Sequence, residues 1–138
     1  MSEYAGDISP SESFELLSRE PDAVLVDVRT AAEWAYVGQP DLSGIGKQVI
    51  GIEWVGYPGG ARNEAFLDQL AAAGVPQQAA VAFLCRSGVR SRGAATAATA
   101  AGYERAYNIT DGFEGQLDQA GHRGVGGWKA AGLPWRQS

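Results

Sequence analysis

Ala80-Val81-Ala82-Phe83-Leu84-Cys85-Arg86-Ser87-Gly88-Val89-Arg90-Ser91-Arg92-Gly93 is the stretch that decides the fold. Its first five residues are an apolar run of strand length, and the run stops at the only cysteine of the chain. A short loop with three arginines follows, and an alanine-rich helical stretch begins at once. In an open α/β sheet, ligands sit beyond the carboxyl ends of the strands, where the next helix offers free N–H groups and a partial positive charge. The stretch therefore predicts an anion-seeking thiol at the end of a buried parallel strand.

The flanking sequence carries the same alternation. Ser9-Pro10-Ser11-Glu12 predicts a capped helix start, with Ser9 at the N-cap, Pro10 at the first helical position and Glu12 closing a capping box. Phe14, Leu16 and Leu17 supply its buried side, and Pro21 ends it. Val24-Leu25-Val26-Asp27-Val28 is an apolar β-branched run, expected as a buried parallel strand. Thr30 and Glu33 repeat the capping box for a short helix through Tyr36. Residues 37–62 hold seven glycines and two prolines around one strand candidate, Gln48-Val49-Ile50-Gly51-Ile52-Glu53. Gly44-Ile45-Gly46-Lys47 lacks the glycine at 41 and the hydroxyl at 48 that a phosphate loop needs. Asn63 is expected to cap a helix whose Phe66, Leu67 and Leu70 fall on one face, closed by Gly74 and Pro76. After the cysteine loop, residues 91–101 predict a helix of small side chains that lies close to the sheet. Tyr107-Asn108-Ile109 is a short strand, and Gly127-Trp128-Lys129-Ala130-Ala131-Gly132 a final helical turn. Strands alternating with helices predict one α/β domain over residues 1–138, a parallel sheet covered on both faces.

Composition narrows the function. The net charge of −5 is uneven: residues 1–84 hold 4 basic and 12 acidic side chains, and residues 85–138 hold 7 basic and 4 acidic. An acidic chain whose positive charge begins at its cysteine suits a small anion better than a nucleic acid. The amino terminus has neither a basic nor an apolar leader region and no run reaches membrane-spanning length, so no membrane association is expected. One cysteine excludes an internal disulfide, and a thiol that stays reduced points to the cytoplasm. One cysteine and one histidine support no metal site.

The thiolate is the nucleophilic form, and a helix N-terminus with adjacent arginines favours it. Backbone N–H groups converging on it then hold charge on an adduct with sulfur, phosphorus or arsenic. Gly88 suits such a cradle because it turns to positive φ at little cost. The cysteine-phosphatase spacing would place arginine at 91, where Ser91 stands. Arginines at 90 and 92 instead leave six members from Cys85 to Arg90.

Cys85-Arg86-Ser87-Gly88-Val89-Arg90-Ser91 resembles the active-site loop of the rhodanese family of sulfurtransferases, in which the six-membered loop accompanies sulfur transfer. Val26-Asp27-Val28-Arg29 with Glu33-Trp34 resembles that family's Asp-Val-Arg segment. Gly102-Tyr103, Tyr107-Asn108-Ile109, Asp111-Gly112, Trp128, Gly132 and Pro134 resemble its closing segment. The chain departs from the pattern at Gly38-Gln39-Pro40-Asp41, where Gly-His-Ile-Pro is usual, and at Gly112-Phe113, where a glycine pair is usual. The resemblance implies a three-layer α/β/α domain with a five-stranded, mainly parallel sheet. It also implies a thiosulfate sulfurtransferase with no cofactor, in which Cys85 carries a persulfide. Thiosulfate or a persulfide would be the donor, and cyanide or a thiol the acceptor. The substrate would meet the loop at Arg86, Ser87, Gly88, Val89, Arg90 and Ser91, with Arg86 and Arg90 guiding an anionic donor. A lone cysteine leaves the persulfide to an external acceptor. Two alternatives stand beside this: a non-catalytic sulfur-relay or binding module that needs a dedicated partner, and a cysteine-dependent phosphatase or arsenate reductase. Asp27 and Arg29 are expected as a structural ion pair, Arg92 as structural, and His122 as uninvolved. The tryptophans are expected as core and loop anchors, with Trp54 or Phe113 able to wall the pocket.

Overall fold

Local signals start most elements where the sequence places them. A computed structural model of the chain describes residues 4–55, 62–86, 88–115 and 127–136. In chain order these hold β1 (Gly6–Ile8), α1 (Pro10–Arg19), β2 (Val24–Asp27), α2 (Ala31–Tyr36), β3 (Gln39–Pro40), β4 (Ile50–Gly51), α3 (Phe66–Ala72), β5 (Ala80–Leu84), α4 (Val89–Ala100), β6 (Arg105–Ile109), α5 (Gly127–Ala130) and β7 (Trp135–Arg136). Both capping boxes form: Ser9 with Glu12 opens α1, and Thr30 with Glu33 opens α2.

Five strands make one all-parallel sheet in the order β1-β6-β5-β2-β4. Side chains alternate across it with a period of two. Val26, Val81, Phe83 and Cys85 join Phe66, Leu70, Ala94, Ala95 and Ala98 from α3 and α4 in one core. Leu25, Ala80, Ala82 and Leu84 face the other way, onto Leu16 and Leu17 of α1 and Trp128 of α5. The sheet is therefore buried on both faces, which is why β5 reads as an unbroken apolar run. The small side chains of α4 serve packing: Ser91, Ala94, Ala95 and Ala98, one helical stripe, are its buried residues.

Four differences from the sequence expectation have physical causes. The fifth strand is β1, a three-residue edge strand paired only with β6 and too short to show a pattern. The strand expected over 48–53 shrinks to β4, although Ile52 N–H to Asp27 O and Trp54 N–H to Val28 O, both 3.1 Å, continue the connection irregularly. Asn63 is not the N-cap of α3: that position is Ala65, and Asn63 Oδ1 accepts the Ala65 N–H in a turn before the helix. Helix α4 starts at Val89 rather than 91, because Gly88 at φ 104° makes the entry turn. A small antiparallel pair, β3 with β7, was also unforeseen.

The chain leaves β2 toward β4 and leaves β5 toward β6, in opposite directions across the sheet. The crevice between these carboxyl ends is a topological switch point, the place where open α/β sheets bind ligands. Asp27 ends β2 beside Leu84, and Cys85 follows at that rim. No helix of the described residues is long and apolar enough to cross a membrane.

Candidate active site

Cys85 leaves β5 with its backbone already held from outside the loop. Its carbonyl accepts the Phe113 N–H at 2.8 Å, and the Arg86 carbonyl accepts the Glu114 N–H at 3.0 Å. That approach depends on the chain after β6, where Asp111 and Gly112 both take left-handed conformations, at φ 62° and 55°. A side chain on Gly112 would overlap the Cys85 and Arg86 carbonyls, so glycine is required there. Phe113 is buried beneath the rim, with the Arg29 guanidinium 4.3 Å from its ring centroid.

The sulfur lies in a polar setting although only 1% of Cys85 is exposed. Gly88 N–H donates to Sγ at 3.0 Å, and Ser91 Oγ lies 3.2 Å from Sγ. No side chain caps the N-terminus of α4. The first N–H groups of a twelve-residue helix thus begin beside the thiol without a competing side-chain acceptor. Ser91 is a first-turn residue of α4, not its N-cap, and it donates to Asn108 Oδ1 at 2.5 Å.

The arginines of the loop are engaged within the chain. Arg90 forms a two-pronged pair with Glu33, at 2.6 and 3.0 Å. Burial opposes ionisation of Glu33, but the Arg90 hydrogen bonds, the Thr30 N–H and the positive charges outweigh it and hold the carboxyl below its ordinary range. Arg90 is correspondingly pushed up by its bonds to Glu33, with smaller help from the charge of Asp27. Arg86, nearly half exposed, places Nε 2.9 Å from Glu114 Oε2. That contact is electrostatic in geometry, since Glu114 Oε2 receives no hydrogen bond. Arg92 is exposed, and its charge acts on Tyr4 and Asp7.

Of the residues assigned from sequence, Cys85, Gly88 and Ser91 meet at the sulfur. Arg86 and Arg90 flank it in ion pairs, and the Val89 side chain projects outward, 69% exposed. Ser87 and His122 lie outside the described residues. Asp27 and Arg29 form the expected pair, fully buried, with Nε to Oδ1 at 2.9 Å and Nη2 to Oδ2 at 2.7 Å. Trp128 is a core anchor and Trp54 packs edge-on to Phe66, whereas Trp135 is substantially exposed. The residues that sequence reasoning missed are Glu33 as the partner of Arg90, and Asn108 with Asp7 behind Ser91. Glu33 was legible only as a helix cap; a buried amide in a strand such as Tyr107-Asn108-Ile109 was the one available hint of the other pair.

Known proteins resemble this chain over nearly its full length. Residues 5–138 match the family model of the STR4 middle domain. The crystal structure of Rv0390 from M. tuberculosis has a TM-score of 0.90 and 56% identity, covering 98% of this chain and 99% of that one. An uncharacterised protein of Rickettsia conorii, RC0915, is 39% identical over 94% of this chain and 95% of its own length. The thiosulfate sulfurtransferase GlpE of Actinobacillus pleuropneumoniae is 28% identical over 97% of this chain and 95% of its own. At the level of fold alone, a rhodanese-like domain from Anabaena gives a TM-score of 0.60 at 17% identity, covering 100% of this chain and 81% of that one. With its all-parallel sheet and its thiol at the switch point, the chain has the fold of a rhodanese-like domain and belongs to the family of the STR4 middle domain.

Proposed function

We propose that the protein is a sulfurtransferase that carries a sulfane sulfur as a persulfide on Cys85. The observation that carries this reading is the sulfur itself, which takes the Gly88 N–H at 3.0 Å where β5 ends and α4 begins. The six-membered loop supports it, as does the likeness to a protein named a thiosulfate sulfurtransferase.

The steps balance without a cofactor. The Cys85 thiolate attacks the outer sulfur of thiosulfate; a sulfur–sulfur bond forms, the bond to the sulfonate breaks, and sulfite leaves with the electron pair. Cyanide or a thiol then attacks the outer sulfur of the persulfide, and Cys85 departs as thiolate. The Gly88 N–H on the sulfur, with the uncapped N-terminus of α4 behind it, stabilises the charge in both steps. Arg86, the more exposed of the two loop arginines, guides an anionic donor; Arg90 does so as far as the donor displaces Glu33.

A second reading, a relay module charged only by a dedicated protein partner, is favoured by the burial of Cys85 and by the pairing of both arginines. Thiocyanate production from thiosulfate and cyanide tests the first: the wild type turns over and Cys85→Ser does not. A wild type inert to small donors but persulfidated by a cysteine desulfurase supports the relay, and activity in Cys85→Ser rejects both.

A further inference from the structure

A line of hydrogen bonds runs from the edge strand to the sulfur. Tyr4 OH donates to Asp7 Oδ1 at 2.8 Å, and Asn108 Nδ2 donates to the same oxygen at 3.0 Å. Asn108 Oδ1 accepts the Ser91 hydroxyl, whose oxygen lies 3.2 Å from Cys85 Sγ. Asn108 and Ser91 are both fully buried, so no water enters the accounting from their side. Asp7 and Asn108 are register partners in the β1–β6 pair, which places them together.

We propose that Asp7 is a positioning residue: acting through Asn108, it fixes the direction of the Ser91 hydroxyl and makes Ser91 an acceptor for the Cys85 thiol. The number of protons along the line sets this direction. An ionised carboxylate only accepts, so Asp7 takes the NH2 end of the Asn108 amide and turns the carbonyl end to Ser91. That carbonyl only accepts, so it takes the single Ser91 proton. Ser91 then has only lone pairs to present to Sγ, and the hydrogen between the two atoms comes from sulfur. Asp7 is exposed, and the hydrogen bonds from Asn108 and then Tyr4 outweigh its slight desolvation and hold its carboxyl below the ordinary range, with the Arg92 charge adding to them.

The line therefore works against the Gly88 N–H. Ionising the thiol either sets a Ser91 lone pair against a thiolate or draws the Ser91 proton away from Asn108, leaving a buried carbonyl unpaired. The other charged groups around the thiol are balanced in place: Arg90 by Glu33, Arg29 by Asp27 and Arg86 by Glu114. At the far end, Tyr4 and Arg92 face Asp7.

The inference rests on Cys85 being the reacting thiol, and its test needs no sulfur donor. The rate of iodoacetamide alkylation of Cys85 is followed against pH, with folding monitored by circular dichroism. In Asp7→Asn the residue 7 amide no longer dictates the orientation of Asn108, Ser91 is released to donate to sulfur, and the midpoint falls by about one pH unit. In Ser91→Ala the thiol loses its acceptor and the midpoint falls as well. A midpoint that is unchanged or raised in either folded variant overturns the proposal; a rise in Ser91→Ala is what a serine donating to thiolate would give. Should Asp7→Asn lose β1, Ser91→Ala decides alone. Absence of sulfur transfer by the wild type would reject the function and leave these profiles standing.

Discussion

Replacing Arg29 by Met removes the guanidinium from the most buried ion pair of the protein's described residues while keeping an unbranched side chain over Phe113. Arg29 is 0% and Asp27 1% exposed. Arg29 gives the carboxylate its backbone N–H at 3.1 Å, Nε at 2.9 Å and Nη2 at 2.7 Å, and Nη2 also reaches the Gly38 carbonyl at 2.7 Å. In Arg29→Met only the backbone N–H of residue 29 remains on a buried charge. Leaving one member of such a pair uncompensated costs about 3–5 kcal/mol. At about 3–4 °C per kcal/mol for a domain of this size, the melting temperature drops by roughly 10–20 °C. Urea unfolding at fixed slope measures the loss directly. Asp27→Asn added to Arg29→Met takes the charge away, so the double variant is more stable than the sum of the single losses predicts, by at least about 1 kcal/mol. A loss below about 1 kcal/mol in Arg29→Met, or strict additivity in the cycle, refutes the assignment of the pair as a structural clamp. Because Phe113 N–H holds the Cys85 carbonyl, the same variant also loosens the cysteine loop, and sulfur transfer measured below its melting point falls with it.

Gly112→Ala places a methyl group against the Cys85 and Arg86 carbonyls at a left-handed residue, so it lowers sulfur transfer by an order of magnitude or more while circular dichroism stays native; a fully active Gly112→Ala contradicts the packing of 112–114 on the loop. Glu33→Gln breaks the charge pair with Arg90 and costs roughly 1 kcal/mol at neutral pH for this partly exposed pair. Since folding lowers the Glu33 titration, its contribution is present above its ordinary value of 4.5 and is lost as pH falls through the lowered one. The stability difference between the wild type and Glu33→Gln therefore closes in acid; a difference that stays constant with pH assigns Glu33 to capping alone. The same variant frees Arg90, and KM for thiosulfate drops several-fold while kcat moves less; an unchanged KM removes Arg90 from donor binding.

What could be read ahead depended on how far each signal reaches along the chain. The capping boxes Ser9–Glu12 and Thr30–Glu33 span four residues, and β5 announces itself as five consecutive buried apolar positions. The cysteine loop is likewise local, so its place at a strand end was legible. Strand β1 was not: Gly6-Asp7-Ile8 has one apolar side chain, and only its pairing with β6, a hundred residues away, makes it a strand. Helix α4 began early because the positive φ of Gly88 is a backbone property that a helix pattern of alanines does not announce. The polar partners of the site were hidden for the same reason, Glu33 lying 57 residues from Arg90 and Asp7 101 residues from Asn108. The chain reports which groups can form hydrogen bonds, whereas the sheet order decides which of them meet.

Whether sulfur rides on Cys85 is decided by intact-mass spectrometry after incubation with thiosulfate, or with cysteine and a cysteine desulfurase. One added sulfur atom is expected on the wild type, located by peptide mapping at Cys85, removed by cyanide, and absent from Cys85→Ser. An unchanged wild-type mass under both donors, or the same added sulfur in Cys85→Ser, contradicts it.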